Sequence, residues 1–148
     1  MKCPNCGYVY DVNNILRTAL KGLKGPFFVS DIDQILLYGK NEGIIFEEKT
    51  SINGRPLIKR FQAYFLRFLE IKLNFPVIIL HKNNNRVKVY RLRRDFQALP
   101  SLVRIDEVAN PIYRAASLIE LREFLVHVLF PAYIKSYDVN KIIVGGDK

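Results

Sequence analysis

The stretch FPVIILH (75–81) limits the fold more than any other part of the chain. Its side chains are apolar at consecutive positions, so a strand built from it presents apolar surface on both faces and needs cover on both. NNN (83–85) supplies turn chemistry and RVKVYRL (86–92) a returning strand, giving a sheet with a covered centre and a basic outer part. Helices must then lie on either side, and the rest of the chain offers them. Val12, Ile15, Leu16, Ala19, Leu20 and Leu23 repeat at helical spacing, with Asp11 placed to cap and Gly25 to stop the helix. PFFVSDIDQILLYG (26–39) and EGIIFEEKTS (42–51) are β-rich runs joined by GKNEG (39–43), which predicts a hairpin. Pro56 to Asn74 reads as a second helix with Pro56 in its first turn, apolar broadly enough to imply burial on more than one side. Asn110 with Pro111 reads as the start of a third helix, IYRAASLIELREFLVHVLF, ended by Pro131.

The expectation is an α/β fold: a central mixed sheet flanked by helices, in the order helix, strands, helix, strands, helix. Without repeats or an evident linker, residues 1–148 read as one domain, with 1–10 an extension, 12–93 the core and 94–148 a C-terminal loop and helix. At 49% hydrophobic and 25% charged residues there is material for a core. The 23 Lys and Arg against 14 Asp and Glu give a formal charge of +9, which favours a polyanionic partner, DNA first. No apolar run approaches the roughly 18 to 20 residues of a membrane span. MKCPNCGYVY lacks the pattern of a signal peptide, so the expected location is cytoplasmic, whether cellular or virus-encoded, with no membrane partner.

Against that basic background the predicted hairpin collects acids: Asp31 and Asp33 on one side, Glu47, Glu48 and then Lys49 on the other. Residues two apart on a strand share a face, so Glu47 and Lys49 project together and Glu48 points away. A three-residue turn at Lys40–Glu42 pairs Ile35 with Glu47 and Asp33 with Lys49, whereas a two-residue turn moves Asp33 to the side of Glu48. Neighbouring carboxylates repel unless a cation neutralises them. Mg²⁺ does so with hard oxygen ligands, usually one or two carboxylates plus water, backbone carbonyl or phosphate. A lysine beside such an ion can hold the attacking water for phosphodiester hydrolysis.

In these residues the chain resembles the PD-(D/E)XK nuclease superfamily, which includes restriction endonucleases, recombination exonucleases and archaeal Holliday-junction resolvases. The family pattern sets an acidic residue on one strand and (Asp/Glu)-x-Lys on the next, followed by a helix. Here it reads Asp33, thirteen residues, then EEK with Glu47 and Lys49 at the motif positions. The resemblance covers about residues 12–93 and implies a restriction-endonuclease-like core and an Mg²⁺- or Mn²⁺-dependent DNA endonuclease, junction-resolvase-like in its structure specificity. It implies Asp33 and Glu47 as metal ligands, the Glu48 backbone carbonyl as a further ligand, Asp31 in reserve, and Lys49 positioning the nucleophile. Gln62, on the following helix, takes the place of a family residue that contacts substrate or metal-bound water. The first helix departs from the pattern, since Asp11 at its cap is its only acid.

CPNCG (3–7) is half of a zinc ribbon: Cys3 and Cys6 supply two of the four ligands that tetrahedral Zn²⁺ takes, and the chain has no other cysteine. A second chain, a degenerate site and a disulfide are the alternatives. His81 and His127 read as core or edge histidines. Lys82, Arg86, Lys88, Arg91, Arg93 and Arg94, with Lys59, Arg60 and Arg67 and with Arg17, Lys21 and Lys24, read as a phosphate-tracking surface. A charged edge strand that resists aggregation is the bland account of the first group. Leu118, Leu121, Leu125 and Val128 read as core, with a homodimer surface as the alternative. The rival to the nuclease is a non-enzymatic nucleic-acid-binding protein with a zinc knuckle, its acidic hairpin structural or degenerate.

Overall fold

The computed structural model describes residues 15–29, 35–51 and 55–144. Cys3, Cys6, Asp11, Asp31 and Asp33 lie outside them. The fold is α/β. Strands β1 (Leu23–Lys24), β2 (Phe27–Val29), β3 (Ile35–Tyr38), β4 (Glu42–Thr50) and β5 (Leu57–Lys59) come between helices α1 (Ile15–Ala19) and α2 (Arg60–Leu73). Four more follow α2: β6 (Val77–Asn83), β7 (Arg86–Leu92), β8 (Leu102–Arg104) and β9 (Ala109–Ala115). Helices α3 (Leu118–Phe124) and α4 (Phe130–Tyr133) and strand β10 (Ile143–Val144) complete the order. The main sheet is mixed and six-stranded, β2-β3-β4-β6-β7-β9, with β4 and β6 parallel and every other pair antiparallel. Two short pairs, β1 with β10 and β5 with β8, stand beside it.

Strand alternation divides the core in two. Ile44, Phe46, Ile78, Leu80, Val87 and Val89 pack with Leu16 of α1 and with Leu121 and Phe130 farther along. Their alternate neighbours Ile45, Val77, Ile79, Tyr90 and Leu92 pack with Ala63 and Leu66 of α2 and with Phe96, Val103, Ile105 and Val108. Val77 to Leu80 are 0% exposed, as a doubly covered strand requires. Between β4 and β6 the chain crosses over through α2, whose N-terminus therefore stands by the carboxyl ends of the parallel pair. In open α/β sheets that is where ligands bind.

Several expectations need correction. The β3–β4 turn uses Gly39–Asn41 in place of Lys40–Glu42, so Ile35 pairs with Ile45 and not with Glu47. Gly39 takes a positive φ of 62°, while Gly43 is a strand residue at which a Cβ would lie 2.7 Å from both the Leu36 carbonyl and the Phe75 ring. The shift is by two residues, so partners move along the strand without exchanging faces. The run 26–39 holds two antiparallel strands, Phe27 opposite Tyr38, so that it and the run after it supply three strands of the sheet. In the first helix Gly22, at φ 83°, does the stopping assigned to Gly25, and Leu23 leaves the helical row for β1. Pro56 precedes a strand: Leu57–Lys59 find an antiparallel partner in Leu102–Arg104, and α2 starts only at Arg60. That helix buries one side, leaving Phe61 at 81%, Phe65 at 54%, Phe68 at 53% and Ile71 at 60% exposure.

The largest correction concerns 109–115, which pairs with β7 at the sheet edge instead of opening a helix. An edge strand tolerates Pro111, here opposite Tyr90 beside a register shift between Val89 and Tyr90. The third helix begins after Ser117, whose hydroxyl accepts the Glu120 amide while the Glu120 carboxylate accepts that of Ala116. It does not stop at Pro131: Leu125–Leu129 widens into a π-helical turn, Phe130 N–H donates to Leu125 O, and helix runs on to Tyr133. Because β9 belongs to the main sheet, residues 94–148 are more than a loop and helix appended to a core ending at 93. Leu121 and Leu125 are buried, whereas Val128 is 55% exposed. No helix of the described residues is long and apolar enough to cross a membrane.

Candidate functional site

Glu47 and Lys49 lie near the carboxyl end of β4, opposite Ile79 and His81 of β6. They stand on the face that Ile45 shares with α2, just past the point where apolar packing ends. Gln62, in the first turn of α2, reaches down to both. Its Nε2 donates to Glu47 Oε1 at 2.9 Å, and its Oε1 accepts from Lys49 Nζ. Lys49 Nζ is also 3.3 Å from Glu47 Oε1. The three groups form a closed triangle, side chains of Lys49 and Glu47 being 17% and 24% exposed. Glu48 turns to the other face, where its Oε1 accepts the Leu16 amide of α1 at 2.5 Å.

Beside the triangle is a pair that sequence reasoning passed over. Ser51, immediately after β4, places its Oγ 2.8 Å from His81 Nε2, and His81 is only 7% exposed. Burial, followed by the charge of Lys88, holds the His81 imidazole below the ordinary histidine value of 6.5. Strand parity gives the clue to Ser51, two residues beyond Lys49, and His81 closes the apolar run that defines β6. A group whose folded pKa is depressed favours the fold above its unfolded value, and that contribution is lost as the pH falls through the folded value. The denaturant midpoint is therefore expected to fall from pH 7 to below 6.5 more steeply in the wild type than in His81→Gln; equal slopes would remove His81 as a titrating group.

The predicted cations divide sharply. Arg67 lies over the Tyr64 and Phe96 rings, 5.1 and 4.4 Å to their centroids, and donates to Phe96 O at 2.8 Å. Arg91 donates to buried Glu70 at 2.5 Å and to Leu92 O at 2.7 Å, and Arg94 to Glu70 at 2.5 Å. Arg93 is occupied with Asn110 at 3.3 Å and the Glu107 carbonyl. Arg67 and Arg94 tie the 93–110 segment to α2, Arg93 joins two parts of that segment, and Arg91 links β7 to α2. Lys59 and Arg60 are exposed where α2 begins, Arg60 donating to Leu99 O at 3.2 Å. Lys88 and Arg86 share the face of His81, while Lys82, opposite Val87, lies on the other. Lys21 and Lys24 are exposed. His127, read as a core or edge residue, is instead a surface group 3.1 Å from Glu123.

Among the described residues no group of three His, Cys, Asp or Glu stands close enough to hold a metal ion. Glu47 alone fits a hard divalent cation in a narrower sense. Both its contacts fall on Oε1, which leaves Oε2 for a ligand bond, and Mg²⁺ takes as few as one protein carboxylate. Asp31 and Asp33, the other carboxylates of the motif, lie outside the described residues. Compared with family models, with curated proteins and with solved structures, the chain finds no match.

Proposed function

We propose that the protein is a divalent-metal-dependent nuclease acting on DNA, with Glu47, Lys49 and Gln62 at its centre. The supporting observation is their convergence: a carboxylate, a lysine and an amide, on β4 and α2, within hydrogen-bonding reach at the carboxyl end of the parallel strands. A structural ion pair needs no third member bridging both charges from a helix. The arrangement is also what the resemblance to the PD-(D/E)XK superfamily asks of its motif and following helix.

Glu47, through Oε2, would hold the metal in this reading, with Asp33 as second carboxylate and Asp31 in reserve. When bound, Mg²⁺ or Mn²⁺ supplies Lewis acidity toward a phosphoryl oxygen and lowers the pKa of attacking water. Lys49 Nζ would orient an attacking water and offset the negative charge that grows on the phosphate. Gln62 keeps the lysine and carboxylate in fixed relation, since one amide group bonds both. The substrate is DNA, a branched or junction structure by family analogy. The test is cleavage of linear, single-stranded and four-way-junction DNA by purified protein with Mg²⁺ or Mn²⁺, beside Glu47→Ala and Asp33→Ala. Metal-dependent products from wild type alone are expected; equal inertness of all three, with DNA binding intact, overturns the proposal.

A further inference from the structure

Lys49, His81, Lys88 and Arg114 form one row across the sheet. Lys49 is the parallel partner of His81, His81 the antiparallel partner of Lys88, and Lys88 that of Arg114. Direct partners project from the same face, so β4, β6, β7 and β9 each contribute one nitrogen-bearing side chain to it. At about 4.8 Å between strands the row spans about 14 Å, from the Glu47 triangle to the sheet edge.

We propose that this row is a phosphate track, which binds the sugar–phosphate backbone of the DNA strand whose bond lies at Glu47. The inference rests on the nuclease reading for its direction, and on the registers for its existence. Like charges placed directly opposite one another across strands destabilise a sheet, so Lys88 beside Arg114 is a costly choice for structure alone. Among the described residues neither has a carboxylate within ion-pair distance to offset it. Lys88 lies over the Tyr90 ring, 5.3 Å to its centroid, and Arg114 is exposed. Protection against edge pairing accounts for Arg114 on β9 but not for Lys88, on an interior strand, nor for buried His81. The row also lies one residue pair beyond Ile79 and Tyr90, outside the apolar packing of that face. Ser51 fixes the His81 ring within it. Backbone phosphates, repeating along a strand and each carrying a negative charge, match the three cations of the row, Lys49, Lys88 and Arg114, better than a single small anion does.

The test uses the full chain, with EDTA present so that binding is separated from cleavage, and fluorescein-labelled single-stranded DNA and its duplex across a salt series. Lys88→Gln and Arg114→Gln are each expected to lower the slope of log K against log salt by about one. Exposed Lys141→Gln is the comparison, expected to leave the slope unchanged, and Arg114→Lys is expected to restore it. Equal behaviour of all three Gln variants overturns the track, as does displacement of DNA by polyglutamate at equal charge. If wild type never cuts DNA yet the Lys88 and Arg114 variants lose slope, the nuclease reading falls and the track stands; if cleavage holds and the slopes do not move, the reverse follows. Melting temperatures of each variant confirm that it folds.

Discussion

Glu70→Ala is expected to cost the fold about 3–5 kcal/mol, the usual consequence of removing one partner from a buried charge cluster. Glu70 is 0% exposed on α2 and accepts from Arg91 and Arg94 at 2.5 Å each and from the Val77 amide at 3.1 Å. Burial by itself would raise its pKa; hydrogen bonds from Arg91 and Arg94 outweigh burial and hold the carboxylate below its ordinary value of 4.5. Alanine takes the carboxylate from the Arg91 side chain, only 23% exposed and left with the Leu92 carbonyl, and leaves the amide that starts β6 without its acceptor. Glu70→Gln, which keeps shape and an acceptor, is expected to lie between. A depressed carboxylate pKa stabilises the fold above the unfolded value and ceases to do so as the pH falls through the folded value. The gap in urea midpoint between wild type and Glu70→Ala should therefore be widest near pH 7 and narrow below pH 4.5. A gap that does not change with pH would mean that the loss is of packing and not of charge.

Lys49→Met is expected to reduce kcat for DNA cleavage by about a hundredfold or more, the range seen when a positioned proton-transfer group is removed. The metal concentration for half-maximal rate should stay where it is, because Lys49 donates and cannot ligate a cation. Glu47→Gln divides the other way: the amide is a poorer metal ligand, so this concentration should rise, with part of the lost rate recovered at high Mn²⁺. Gln62→Ala breaks two of the triangle's three contacts at once and should show both effects in weaker form. Rate and metal titration together decide the roles; a metal shift in Lys49→Met with none in Glu47→Gln would exchange them.

The two-layered cover of the sheet was legible because VIIL can be buried only from both sides. That Glu47 and Lys49 share a face was legible from strand parity, whereas Gln62 came only through the family resemblance, which sets a residue of its kind on the helix after the motif. What local reasoning missed depends on partners distant in sequence. Leu57–Lys59 become a strand only through Leu102–Arg104, and Ala109–Ala115 only through β7, which outweighs the helical reading of Asn-Pro. The Ser117–Glu120 capping box was present as SLIE and marks the true helix start. Arginines carry no label that separates a bond to Glu70 or a carbonyl from a bond to phosphate, so Arg67, Arg91 and Arg93 read as surface until their acceptors are known.

The parallel pair of β4 and β6 has a kinetic meaning. Strands β3 and β4 meet across a three-residue turn and β6 and β7 across two residues, so both hairpins form from near neighbours. Their union through β4 and β6 closes the long connection that contains α2, and non-local closure of this kind is slow. Glu47 and Lys49 belong to one hairpin, His81 and Lys88 to the other. The row that joins Lys49, His81 and Lys88 therefore comes into being only at the union, so a phosphate track there, as proposed, would be assembled at the end of folding rather than at the start.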